Sequence, residues 1–269
     1  MRLRVLALVV VAAFGGQSAL AQSDGLRRLT DRDDLLGWEA VGRLDTARGG
    51  FCTATLIASD LVLTAAHCVY DRDRLRDPGE LTFRAGLSDG VAIAERSIAA
   101  IAVPEAYRPG PRVDLSNVPH DVALLRLNRA ITTAEADPFV LHQGSIRGQE
   151  ISVTSYGQGR AEALSRQQRC RIVGERSPIL AFDCNVTFGS SGAPVFVKHG
   201  DRGRILSIIS GGSRTAEGVV SIGMELPGVV GRLKADLRRQ GTPTPTIRRF
   251  GIGDGKGSSG AKFVRPDGS

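Results

Sequence analysis

A serine set among glycines, Gly189-Ser190-Ser191-Gly192-Ala193-Pro194, is the segment of this sequence richest in chemistry. A hydroxyl attacks an acyl carbon only with help. A base must take its proton, an acid must hold that base in one tautomer, and N–H donors must meet the oxyanion. Flanking glycines let a serine ride on a tight turn, where the N–H of Gly189 would point inward beside that of Ser191. One such donor contributes about 2.7–4 kcal/mol to the transition state. A Gly-Ser turn alone is usually only a loop, so its partners decide. Thr64-Ala65-Ala66-His67-Cys68 places a histidine just after an apolar strand, with a cysteine beside it. His142 and His199 sit in polar turn contexts, whereas His120 directly precedes Asp121 and is the rival base. Asp121 in turn enters the apolar run Val122–Leu127. An acid there is costly to bury unless hydrogen-bonded. An imidazole N–H from His67 would satisfy it; otherwise it is a strand-capping aspartate.

The elements that must position these residues read as short strands. Candidates are 38–44, 51–57, 61–64, 80–85, 92–101, 122–127, 151–156, 169–173, 179–182, 193–198, 205–210 and 219–223, joined by Gly-, Pro-, Asp- and Asn-bearing loops. Many short strands at regular spacing predict an all-β protein of barrels or sandwiches. One helix stands apart: Leu226, Val229, Val230, Leu233 and Leu237 recur at three- and four-residue steps, with Pro227 in the first turn. Residues 22–37 read as a polar N-terminal arm or a propeptide. Residues 241–269, rich in Gly, Pro, Ser, Arg and Lys, read as a flexible tail. No internal repeat recurs at a fixed period.

The 269 residues, 42% apolar and 23% charged, suffice for one large domain or two small ones and exclude a disordered chain. Arg2 and Arg4, the apolar run Val5–Phe14 and Ala19-Leu20-Ala21 form a signal peptide over 1–21, so the mature chain starts at Gln22. Its destination is the periplasm or the medium. The apolar run is short of the ~20 residues a membrane span needs. Export makes the four cysteines informative: an even count predicts two disulfides, with three pairings open. Joining sequence neighbours, Cys52 with Cys68 and Cys170 with Cys184, would close loops of about 15 residues, each worth roughly 3 kcal/mol. No cysteine pair has zinc-ligand spacing. Formal net charge is +7; loss of residues 1–21 removes Arg2 and Arg4 and no acid, lowering it by two to +5. A solvated basic surface accounts for that. No basic stripe with interleaved aromatics points to nucleic acid.

Thr-Ala-Ala-His-Cys at 64–68, Asp-Val-Ala-Leu-Leu at 121–125 and Gly-x-Ser-Gly-x-Pro at 189–194, in this order, resemble the three signature segments of the trypsin-like (chymotrypsin-fold) serine peptidases. The resemblance covers roughly residues 38–238. It implies two antiparallel six-stranded β-barrels, here 38–140 and 141–240, the second ending in the C-terminal helix, with the active site between them. It implies a serine endopeptidase acting on protein or peptide substrates, with His67 as base, Asp121 orienting it, Ser191 as nucleophile, and Gly189 and Ser191 as oxyanion donors. Cys52 and Cys68 resemble the family's disulfide beside the histidine. Ser210-Gly211-Gly212 resembles the segment that pairs with substrate backbone, and residues 184–188 would line the specificity pocket. Asn185, Thr187, Ser210 and Gly212 are the substrate-binding candidates. The family needs no cofactor or metal, and a monomer without membrane insertion is expected.

Two departures matter. Animal digestive members carry an acid immediately before the nucleophile, which pairs with a newly freed N-terminus on activation. Ser190 stands there, so that switch is not expected, and the chain looks closer to bacterial secreted members, including the glutamyl endopeptidase-like group. Relatives with glutamate specificity use a histidine near the position of Ile209, which puts that preference in doubt, and Asp183 is not expected to reach the pocket. A small or mildly polar preference is the working expectation. The alternative function is a non-catalytic binding protein on the same fold. A Gly-x-Ser-x-Gly esterase is disfavoured, because no strand–elbow–helix pattern surrounds Ser191.

Overall fold

A computed structural model describes residues 25–241 apart from 32, 112, 113, 201 and 217. The expected signal peptide and the expected flexible tail beyond 241 lie outside the described residues. In the first half the strands are β1 (Arg27–Arg28), β2 (Val41–Thr46), β3 (Phe51–Ala58), β4 (Leu61–Thr64), β5 (Tyr70–Asp71), β6 (Arg74–Leu75), β7 (Leu81–Ala85), β8 (Ala94–Ala102) and β9 (Ala123–Leu127). Six of them close into an antiparallel barrel in the order β2-β3-β4-β9-β8-β7. The period-two rule is plain in β7, where Leu81, Phe83 and Ala85 point into the core and Thr82 and Arg84 point outward. In β9 every residue is buried, because the barrel core lies on one face and the C-terminal helix packs on the other.

The second half holds β10 (Ile151–Gly157), β11 (Arg160–Cys170), β12 (Ile172–Arg176), β13 (Ile179–Phe182), β14 (Pro194–His199), β15 (Arg202–Ile208), β16 (Gly211–Thr215), β17 (Gly218–Met224) and the helix α1 (Pro227–Arg239). These strands form two antiparallel sheets, β1-β11-β10-β14-β15 and β12-β13-β17-β16. They enclose a second core that includes Ile151, Val153, Leu180, Phe182, Val195, Val197 and Leu206. Ser207 laces the sheets together. Its hydroxyl donates to the Met224 carbonyl at 2.8 Å and accepts the Met224 N–H at 2.9 Å.

The helix forms where its periodicity predicts, and it reaches back to the other half. Val229, Val230, Leu233 and Leu237 are buried. Arg126 of β9 donates to the Leu237 carbonyl at 2.8 Å and to that of Gly241, setting a cation on the helix C-terminus. Trp38, expected in a strand, lies instead in the turn before β2. It packs on Phe139 and Phe196 with ring centroids 5.7 and 5.2 Å away, and the Arg166 guanidinium covers it at 4.3 Å. The N-terminal arm contributes to the fold: β1 pairs with β11, and Leu29 and Leu35 join the core. Two other expectations shift. The run 169–173 straddles the end of β11 and the start of β12, because Arg171 turns outward to Asp183. The long β11 and the edge strand β16 replace predicted loops.

Candidate active site

Strand register explains why a histidine and an aspartate 54 residues apart meet. In the β4–β9 pairing Thr64 lies opposite Ala123. The chain leaving β4 therefore runs beside the chain entering β9. His67 sits on the short helical turn Ala66–Val69 just past β4, and Asp121 lies two residues before β9. The disulfide Cys52–Cys68 ties that turn to β3. A second disulfide joins Cys170 and Cys184.

Asp121 is 5% exposed and its carboxylate accepts three hydrogen bonds. Oδ1 takes the backbone N–H of His67 at 2.9 Å. Oδ2 takes the Nδ1–H of His67 at 2.8 Å and the Ser210 hydroxyl at 2.5 Å. An imidazole whose Nδ1 donates to this carboxylate must offer the lone pair of Nε2 to the cleft. Tyr107 closes this flank, its ring 5.3 Å from that of Tyr70. Burial raises its phenol pKa, and the Asp121 charge raises it further.

Ser191 occupies the turn before β14 and shares with His67 and Asp121 a cleft of about 610 Å³. Tracing each peptide of this turn accounts for its shape. The Phe188 carbonyl accepts the Gln158 N–H at 2.7 Å, and the Ser190 carbonyl accepts the Ala193 N–H at 3.0 Å. The Ser190 N–H donates to Thr187 at 2.9 Å and the Gly192 N–H to Ile209 at 2.7 Å. Thr53 takes the two carbonyls that remain: its hydroxyl donates to Gly189 at 2.9 Å and its backbone N–H to Ser191 at 2.9 Å. The N–H groups of Gly189 and Ser191 are left with no partner among the described residues, and both residues line the cleft. Two free donors beside a hydroxyl are what an oxyanion requires.

The glycines are obligatory here. Gly189 has φ +91°, and a Cβ would lie 2.3 Å from the Phe51 ring. Gly192 has φ +75°, and a Cβ would lie 2.2 Å from Thr64 Oγ1 and 2.4 Å from the Thr53 carbonyl oxygen.

Beneath the turn, Ser190 is buried without an acid. Its hydroxyl accepts from Arg160 Nη2 at 2.9 Å and lies 3.1 Å from the Tyr156 carbonyl, to which it donates. The same guanidinium holds the Ser155 carbonyl and, at 2.9 Å, the Ser155 hydroxyl. Burial pushes the Arg160 pKa down to about 10, which leaves it a cation at neutral pH. Nothing in the sequence pattern singled out Arg160.

Thr187, Ser210 and Gly212 line the cleft, together with Val186, Phe188, Ile209, Gly211 and Arg214. Asn185 does not. Its N–H is taken by Gln167 Oε1 at 2.7 Å, and it is Val186 that borders the cleft. A Cβ on Gly212 would lie 2.8 Å from Val186 Cγ2, so the two walls nearly touch. Asp183 faces outward in an ion pair with Arg171, at 2.8 Å. Among the described residues His67 is the sole histidine lining this cleft; His142 instead sits 3.3 Å from the Ser145 carbonyl. Sγ atoms of Cys52 and Cys68 lie near His67, but a disulfide offers no thiolate to a metal. Among the described residues no helix is long and apolar enough to cross a membrane.

A family model described as a trypsin-like peptidase domain matches residues 52–204. Serine protease SP24D of Anopheles gambiae is 28% identical over 173 residues, which span 55% of this chain and 59% of that protein. The chain thus covers less than two thirds of that relative's length. Three solved structures are similar. A Glu endopeptidase in complex with MPD aligns over 81% of this chain and 99% of its own, with TM-score 0.66 and 17% identity. The thermostable serine protease AL20 from an extremophilic microorganism aligns over 74% and 96%, with TM-score 0.57 and 20% identity. The protease Anisep from Arthrobacter nicotinovorans aligns over 72% and 93%, with TM-score 0.58 and 19% identity. At these identities the likeness establishes the fold.

Proposed function

Because the chain belongs to the trypsin-like peptidase family, we propose that it is an exported serine endopeptidase with the triad His67, Asp121 and Ser191. The Ser191 hydroxyl attacks the scissile carbonyl while Nε2 of His67 takes its proton. The carbonyl oxygen, now an anion, is met by the N–H groups of Gly189 and Ser191. The carbon–nitrogen bond then breaks as the imidazolium returns the proton to the leaving amine. Water, deprotonated by the same base, hydrolyses the acyl-enzyme and regenerates Ser191. The Asp121 carboxylate holds the reactive tautomer throughout and offsets the imidazolium charge.

One observation carries this reading. Every carbonyl of the turn from Phe188 to Ser191 is hydrogen-bonded away, while the N–H groups of Gly189 and Ser191 have no partner among the described residues and both residues line a cleft that also holds the Asp121-bound imidazole. Two amides without a protein partner, on residues that line the cleft, are available to a substrate oxygen.

The near contact of Val186 with Gly212 supports a preference for a small residue before the cleaved bond. Ile209, rather than a histidine, supports a preference different from glutamate. The two disulfides suit an oxidising compartment. A serine-directed phosphonate tests the proposal. Wild-type protein is expected to be labelled and Ser191→Ala is not. A wild type that neither labels nor cleaves casein would overturn it.

A further inference from the structure

We infer that Thr53 is a positioning residue for the oxyanion donors, acting through its hydroxyl. The inference rests on the proposed role of Gly189 and Ser191.

Thr53 lies on β3 of the first barrel, fully buried, and it bonds two peptides of the turn carrying Ser191, one through its side chain and one through its backbone. A threonine hydroxyl has one proton to give and lone pairs to receive. Here it gives the proton to the Gly189 carbonyl at 2.9 Å and receives the Tyr156 N–H at 3.0 Å. The hydroxyl therefore relays the position of β10 in the second half to the peptide that follows Gly189.

The relay is needed because of the residue it acts on. Gly189 must be glycine, since a side chain would strike Phe51. Glycine is also the residue that resists rotation least. Swinging its two flanking peptides about Cα would carry its N–H out of the cleft and its carbonyl in. The Gln158 N–H restrains one side of that swing through Phe188, and Thr53 Oγ1 restrains the other. The backbone N–H of Thr53 holds Ser191 in the same way, and any residue but proline would supply that bond. The side-chain bond is what the residue type adds. A threonine on a strand is otherwise explained by β propensity alone, so its second duty is visible only in three dimensions.

Thr53→Val keeps the shape and removes the relay. We expect kcat to fall about ten- to a hundredfold with KM within about twofold, short of the ~10²–10³ lost with an entire donor. Affinity for a peptide aldehyde, whose adduct oxygen uses the same two N–H groups, should fall by a similar factor. The pH profile of kcat should keep its shape, because the His67–Asp121 pair is untouched. Thr53→Ser, which retains the hydroxyl, should restore kcat to within about threefold of wild type, as a packing role would not. Undiminished kcat or aldehyde affinity in Thr53→Val would overturn the inference, as would a Thr53→Ser as slow as Thr53→Val. If near-ultraviolet circular dichroism shows that Thr53→Val does not fold, Thr53→Ala takes its place with the same expected loss and the same refutation. The two proposals fail separately: an unlabelled wild type removes the peptidase reading, and a labelled wild type with a fully active Thr53→Val removes only the role of Thr53.

Discussion

Replacing Asp121 by asparagine keeps the shape of the side chain and sets three donors against one acceptor. The carboxylate now receives the His67 backbone N–H on Oδ1, and both the His67 Nδ1–H and the Ser210 hydroxyl on Oδ2. The amide introduced by Asp121→Asn has one oxygen and one NH₂, so it must choose. If its oxygen faces Nδ1, its NH₂ confronts the backbone N–H of His67, a donor that cannot change its nature. Two unpaired donors there cost about 1–3 kcal/mol. If its oxygen faces the backbone, its NH₂ confronts Nδ1 and Ser210, and both can adapt. The Ser210 hydroxyl rotates, and the imidazole moves its proton to Nε2. The second arrangement therefore prevails by roughly 5- to 150-fold, at about 1.4 kcal/mol per factor of ten. It leaves no lone pair on Nε2 to receive the Ser191 proton. Loss of the anion removes a further ~4 kcal/mol of imidazolium stabilisation, taking charges about 4 Å apart at an effective dielectric of 20. We expect kcat at pH 7 to fall about 10³–10⁵-fold, bracketing the ~10⁴ that this substitution costs in a serine-protease triad, with the melting temperature little changed. Steady-state rates, phosphonate labelling and ¹⁵N resonances of the His67 ring would measure it. A fall of less than about thirtyfold, or a ring still protonated at Nδ1 in the variant, would refute the hydrogen-bond accounting.

Three further outcomes follow from other parts of the molecule. Gly192→Ala should destabilise by about 2–5 kcal/mol, from the left-handed backbone and from contacts with Thr64 and Thr53; a denaturation midpoint within error of wild type would contradict it. Recombinant protein beginning at Gln22 should be active without any internal cut, and a short N-terminal extension should leave kcat unchanged, because Arg160 already occupies the partner position of Ser190; activity that appears only after cleavage at one bond would contradict it. On a mixed peptide library the wild type should prefer small residues before the cleaved bond, and Val186→Ala should shift preference toward larger ones; dominance of Arg, Lys or Glu would contradict the narrow pocket.

What is legible in the sequence divides along physical lines. His67, Asp121 and Ser191 announce themselves because the expected chemistry fixes their residue types, and the apolar strands beside two of them fix where they can lie. The helix is legible because Val229, Val230, Leu233 and Leu237 need one buried stripe; the sheet it packs on is not, since periodicity gives a face and not a partner. Asn185 fails for a related reason. Counting back from Ser191 locates a position along the chain, but whether that residue faces the cleft depends on a bond from its N–H to Gln167 on another strand. β11 escapes detection because polar residues break the apolar pattern of its buried positions: Ser165 and Gln167 are buried beside Ala163 and Leu164, and Gln167 supports Arg169 and Asn185. Alternation of apolar and polar residues finds strands with uniformly apolar buried faces and passes over strands whose buried face also carries hydrogen-bonding side chains.

Arg160 and Thr53 show where that blindness bears on function. Each acts on the turn of Ser191 from a different strand, and each matches no motif. Arg160 supplies from within the chain a cation beneath that turn, the basis for expecting activity without an arriving chain terminus; its partners are two hydroxyls and a carbonyl, which makes the contact insensitive to the titration of a carboxylate. Thr53 couples β3 in the first barrel to β10 in the second half through one hydroxyl. The donors proposed for the oxyanion thus depend on how the two halves are docked as well as on the segment that carries them. A change at the interface of the halves, at Trp38 or Phe139 for instance, should reach the active site through Thr53 before it disturbs the His67–Asp121 pair, because that pair is bonded within the first barrel.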